Sequence, residues 1–213
     1  MRAFFPRKTR SLSQLRIRFN HGILNSTSEA LETTRMFSDW AGGTNFVLAY
    51  NSTEGLIGDL DECYQGLKGK FIPPMGPTLK KWDNFFDKIP NGYYFHVCTS
   101  GGAITSKNCL QIYPPERRSR ITVLAISPAA YIDPHLCRDV LHLLSEGDPL
   151  VKHVFSKFEC NKEFMNRNNP HVVWLPVHPL AWKGFDHFSD SPTFRRPSQD
   201  FLHEFINQIR TNR

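Results

Sequence analysis

A chain of 213 residues with 40% apolar and 13% aromatic side chains has the volume for one packed core, and 22% charged residues exclude disorder as its main state. The net charge of +6 gathers at Arg2, Arg7, Lys8, Arg10, Arg16 and Arg18, at Arg117, Arg118 and Arg120, and at Arg195 and Arg196. These clusters lack aromatic interleaving or zinc-finger spacing, so no nucleic-acid partner is expected; they read as solvated faces or as contacts with an anionic membrane surface.

In chain order, Arg16 to Phe19 is a short candidate strand leading into the turn-rich Asn20-His21-Gly22. Ser28 to Trp40 reads as a helix ended by Gly42-Gly43, and Asn45 to Tyr50 as a compact strand. Leu60 to Leu67 is a short candidate helix, followed by a proline-rich loop. Thr78 to Asp87 carries an apolar stripe at Leu79, Trp82, Phe85 and Phe86, expected as an amphipathic helix capped by Thr78. Tyr93 to Cys98 is rich in β-formers. Ala103 to Tyr113 reads as a helix stopped by Pro114-Pro115, and Arg120 to Ser127 as a buried strand. Val140 to Ser145 fits a strand or the end of a helix, and Val172 to Val177 a strand that Pro176, which cannot donate to a ladder, pushes toward a sheet edge or an early stop. Gln199 to Ile209 is a final amphipathic helix, with Ser198 as its expected cap. Strands alternating with helices predict an α/β fold: a mostly parallel sheet with helices on both faces. Residues 1–15 read as a basic, flexible stub and 16–213 as a single domain.

Function in such folds gathers beyond the carboxyl ends of the strands. There, Cys98-Thr99-Ser100-Gly101-Gly102 resembles the G-x-S-x-G nucleophile elbow, with Cys98 in place of the first glycine. A plain glycine-rich turn is the bland alternative. Gly101 would offer a backbone N–H to an oxyanion, and Ile23, after His21-Gly22, the second donor. Asp148, after the Val140 to Ser145 run, is the candidate acid, though it also suits a simple turn start before Pro149. His187 is the candidate base, with His178 in reserve. His135, Cys137, His142, His153 and Cys160 match no compact ligand spacing, so no metal is expected, and no glycine-rich phosphate loop or dinucleotide motif calls for a nucleotide cofactor. Five widely spaced cysteines (Cys63, Cys98, Cys109, Cys137, Cys160) with no Cys-x-x-Cys pair suggest reduced thiols. No apolar run approaches the roughly 18 residues of a membrane span, and Phe4-Phe5-Pro6 is too short for a signal peptide. A cytoplasmic location is the expectation, with specialised secretion left open.

The run FHVCTSGGAITSKNCLQIYPPERRSRITVLAISPAAYI, with FNHGILN and VLAYN before it and SEGDPLV after it, resembles an uncharacterised chlamydia-specific protein family with α/β-hydrolase-like features. The resemblance runs from about Phe19 onward and implies an α/β-hydrolase-like fold and functional positions at Ser100, Asp148 and His187. It implies no substrate. Members of that family are longer ahead of the His-Gly turn, and Thr99 and Gly101 depart from their His-Ser-Gln type of elbow. Two functions follow as expectations. One is a serine hydrolase of small-molecule or lipid esters using a Ser100–Asp148–His187 triad. The other is an inactive α/β-hydrolase-like protein that binds a partner or an anionic membrane. The oligomeric state is not legible.

Overall fold

The computed structural model describes residues 15–20, 27–42, 46–49, 63–182 and 184–211. The expected stub (Leu15 apart), Ile23 and the His21-Gly22 turn lie outside them.

The first strand, β1 (Leu15–Asn20), is followed by α1 (Thr27–Trp40) and β2 (Phe46–Ala49). Residues 63–67 form a short helix, the described part of the one expected over Leu60 to Leu67. Then come α2 (Met75–Lys88), β3 (Tyr93–Thr99), α3 (Gly102–Ile112), the single turn α4 (Pro115–Arg118) and β4 (Ile121–Ile126). β5 (Asp139–Ser145), α5 (Pro149–His153), β6 (Val172–Leu175) and α6 (Pro192–Thr211) complete the order. The sheet runs β2-β1-β3-β4-β5-β6, and each neighbouring pair is parallel.

Every residue of β4 is buried, as a continuous apolar strand run requires. Side-chain alternation divides the core in two. Tyr94 and Cys98 of β3, with Val123 and Ala125 of β4, pack with α2 and α3. Phe95, Val97, Leu124 and Ile126 pack with Phe37 of α1 and Phe194, Leu202 and Phe205 of α6. Trp82 and Phe95 are completely buried, each contributing roughly 1.5–3 kcal/mol of transfer free energy. Right-handed crossovers account for the two layers: the chain moves from β1 to β2 in one direction and from β3 to β4 in the other, so α1 and α3 fall on opposite faces. This is an α/β-hydrolase-like fold.

Two helix starts differ from the expectation. α2 begins at Met75, not Thr78; Pro77 sits in the first turn, where no N–H is needed, and Thr78 Oγ1 donates to Pro74 O at 3.0 Å instead of capping. α6 begins at Pro192, with Pro197 and the buried Ser198 inside it. Val140 to Ser145 is strand throughout, and β6 stops before Pro176 at the edge of the sheet.

Candidate active site

The strand order reverses at β1, whose neighbours β2 and β3 are reached in opposite directions. A crevice outside the carboxyl ends of β1 and β3 is where ligands bind in open α/β sheets. Ser100 occupies the end of β3. Its φ of 46° is left-handed, a conformation that costs a non-glycine residue about 1–2 kcal/mol. Its backbone is pinned from three sides: Ser100 N donates to Ile126 O (3.3 Å), and Ser100 O accepts from Ala103 N and Ala129 N (both 3.0 Å). Ser127, next to it in the β3–β4 register, is also left-handed, with φ 45°.

Cys98, two residues before Ser100, lies completely buried beneath α3. Burial pushes its thiol up to about 12, partly offset by a hydrogen bond with Ser106, so it is a neutral filler. Ser106 Oγ donates to Gly102 O (2.7 Å), leaving His96 Nε2 to donate to Ser106 Oγ (2.7 Å). This buried pair clamps the first turn of α3 to β3 beneath Ser100. Sequence reading passed over both residues, since neither lies in a motif. Gly101, the N-cap of α3, has helical dihedrals, and among the described residues its N–H has no hydrogen-bond acceptor.

Asp148 is fully buried at the start of α5. Its Oδ1 accepts from Leu150 N (2.9 Å) and Val151 N (3.2 Å), and its Oδ2 accepts from His187 Nδ1 at 2.7 Å. The turn-start and acid readings of Asp148 therefore describe two oxygens of one carboxylate. His187 is 6% exposed, against the rings of Phe155 (6.3 Å), Phe185 (5.7 Å) and Phe188 (6.4 Å). A carboxylate only accepts, so Nδ1 carries the hydrogen, and in the neutral imidazole Nε2 keeps the lone pair. His178 is exposed, its Nδ1 accepts from Leu180 N at 3.1 Å, and it makes no bond to Asp148.

The structure thus brings Asp148 and His187 together. Ser100 is 4% exposed, and among the described residues its Oγ makes no hydrogen bond, to His187 or to any other group. β4 separates β3 from β5, so the Ser100 turn and the Asp148 loop start about 10 Å apart. The gap is spanned by packing. Ala129, bonded to Ser100 O, gives its own carbonyl to Asn161 Nδ2 (2.8 Å), which also donates to Phe155 O (3.0 Å), and the Phe155 ring lies beside His187. Asn161 Oδ1 meanwhile accepts from Tyr131 N at 2.8 Å. Sequence reading missed Asn161 entirely.

Of the residues weighed as metal ligands, His142 is committed elsewhere: Nδ1 lies 2.9 Å from His171 O, and Nε2 accepts from Ile132 N at 3.0 Å. Among the described residues no three His, Cys, Asp or Glu side chains gather to hold an ion, and no helix is long and apolar enough to cross a membrane. All five cysteines are free thiols.

No family model matches the chain, and no curated protein matches it. Among solved structures, an uncharacterised protein from Bacillus cereus is similar with a TM-score of 0.51 and 14% identity, over 100% of this chain and 65% of that one. A YdeN-like hydrolase candidate from Pectobacterium atrosepticum aligns over 92% of both chains with a TM-score of 0.46 and 10% identity. The phospholipase PlaB from Legionella pneumophila aligns over 54% of this chain and 25% of its own, with a TM-score of 0.32 and 12% identity. None of the three is a chlamydial protein. The likeness to the Bacillus cereus structure is one of fold.

Proposed function

We propose that the protein is a serine hydrolase that cleaves esters through Ser100, His187 and Asp148. The observation that carries this reading is the buried 2.7 Å bond from His187 Nδ1 to Asp148 Oδ2, at the same end of the sheet as a serine in a left-handed strand-to-helix turn. In the reaction, Ser100 Oγ adds to the ester carbonyl as His187 Nε2 takes its proton, and Asp148 stabilises the imidazolium. The amide of Gly101 donates to the oxyanion, with Ile23 as the second donor read from the sequence. Collapse expels the alcohol, which recovers the proton from His187, and water releases the acyl group by the same route. A Ser100 Oγ with no hydrogen bond among the described residues is compatible with this, because catalytic hydrogen bonds are often long without substrate and tighten around it.

Aromatic rings around His187, with the exposed Leu180 and Trp182 on the same loop, support an ester with an apolar part, a small-molecule or lipid ester. A non-catalytic role at an anionic surface has less support, since Arg117 and Arg118 are engaged within the fold. The test is hydrolysis of p-nitrophenyl esters of increasing acyl length. Wild type is expected to turn them over, and Ser100→Ala and His187→Ala to lose about a thousandfold or more. Equal rates in wild type and Ser100→Ala contradict the proposal.

A further inference from the structure

We propose that Asp186 is a positioning residue that locks the loop carrying His187 against the loop carrying Asp148; this rests on the reading of His187 and Asp148 as base and acid. Asp186 is 1% exposed. Its Oδ2 accepts from Ser145 Oγ and Thr193 Oγ1, each at 2.6 Å, and its Oδ1 accepts from Ser191 Oγ at 2.5 Å. Among the described residues no lysine or arginine pairs with it. A buried carboxylate held only by hydroxyls is costly unless each bond is made, so the cage has one satisfied arrangement.

The three hydroxyls come from the end of β5 and the start of α6, and each has a second task. Ser145 Oγ accepts from Gly147 N (3.1 Å), Thr193 Oγ1 accepts from His178 N (3.0 Å), and Ser191 Oγ accepts from Thr193 N (3.3 Å). The carboxylate thereby joins the acid loop, the chain after β6 and the start of α6. The backbone of Asp186 adds a fourth tie, donating to Gly147 O at 3.1 Å. Gly147 precedes Asp148 and Asp186 precedes His187, so the chains form two adjacent rungs: the backbone bond between 147 and 186, then the side-chain bond between 148 and 187. The close approach needs glycine, because a Cβ on Gly147 would meet Val177 Cγ2 at 2.6 Å and Asp186 Cβ at 3.2 Å. The cage holds the first rung and so sets the geometry of the second.

The experiment compares Asp186→Asn, Thr193→Val and Thr193→Ser with wild type, using two readouts: the rate of fluorophosphonate labelling and the low-field proton resonance of His187 Nδ1–H, assigned by its loss in Asp148→Asn. Asp186→Asn and Thr193→Val are expected to slow labelling about 10–100-fold and to shift or broaden the resonance, while Thr193→Ser, which keeps the hydroxyl, restores both. Wild-type labelling and an unchanged resonance in folded Asp186→Asn or Thr193→Val overturn the proposal. If Asp186→Asn does not fold, the Thr193 pair decides alone. Absence of labelling in wild type would count against the hydrolase reading, and the resonance would still decide whether Asp186 positions His187.

Discussion

Asp148 spends one carboxylate oxygen on the helix start and the other on the imidazole, which explains why a residue legible as a turn former is also legible as an acid. The reading of Asp148 and His187 rested on chain order, which survives folding. The hydroxyl cage had no such signature, because its members are spread from Ser145 to Thr193 and meet only in three dimensions. His142 is a second residue whose role comes from packing alone. Burial lowers it from 6.5 to about 4, with His171 both opposing it as a neighbouring charge and offsetting part of the shift through its carbonyl. It also stacks on Tyr131 at 4.7 Å. A histidine depressed in the folded state contributes stability that is complete above its unfolded pKa and lost as pH falls through the folded one. The protein is therefore expected to lose of the order of 3 kcal/mol from this group between about pH 6.5 and pH 4. Urea denaturation across that window should be steeper in pH for wild type than for His142→Gln. Parallel profiles would refute the assignment.

At the scale of elements, strands were easier to read than helix starts. Buried strands such as β4 announce themselves as continuous apolar runs, whereas Pro77 and Pro197 read as breakers although Pro77 sits in the first turn of α2, where no N–H is needed, and α6 carries Pro197 in its interior. The chain between α5 and β6, where the sequence predicts no element, folds as 3-10 turns, Phe155–Lys157 and Glu159–Met165. Asn161 anchors that segment to the strand ends with bonds to Ala129, Tyr131 and Phe155. Asn161→Leu, similar in size and with an apolar side chain, leaves two buried carbonyls and one part-buried N–H without that partner and is expected to destabilise by about 2–4 kcal/mol. A denaturation midpoint equal to wild type would show that those bonds contribute nothing net.

For the molecule as a whole, alternation predicted the α/β class, but nothing in the sequence determined on which side of β1 each later strand would lie. That choice creates the switch point where Ser100 sits. Charge was the least transferable sequence feature. Arg117 bridges Asp83 (3.0 Å) and Asp87 (2.8 Å) of α2, Arg118 donates to Leu110 O (2.9 Å), and both lie in α4, which leads into the amino end of β4, at the opposite end of the sheet from Ser100. The Arg117→Ala/Arg118→Ala variant is expected to lose roughly 1 kcal/mol of stability, small because these pairs are half-exposed, and to bind anionic vesicles no differently from wild type. Weaker vesicle binding at unchanged stability would restore the patch as a contact surface.

In the proposed reaction Ser100 is a nucleophile activated by His187. The most direct test of this is to expose the folded protein to a fluorophosphonate and map the adduct by peptide mass spectrometry. A single phosphonyl group is expected on the peptide containing Ser100, absent in Ser100→Ala and in protein denatured beforehand. A folded wild type that stays unmodified, or an adduct that persists in Ser100→Ala, would contradict it.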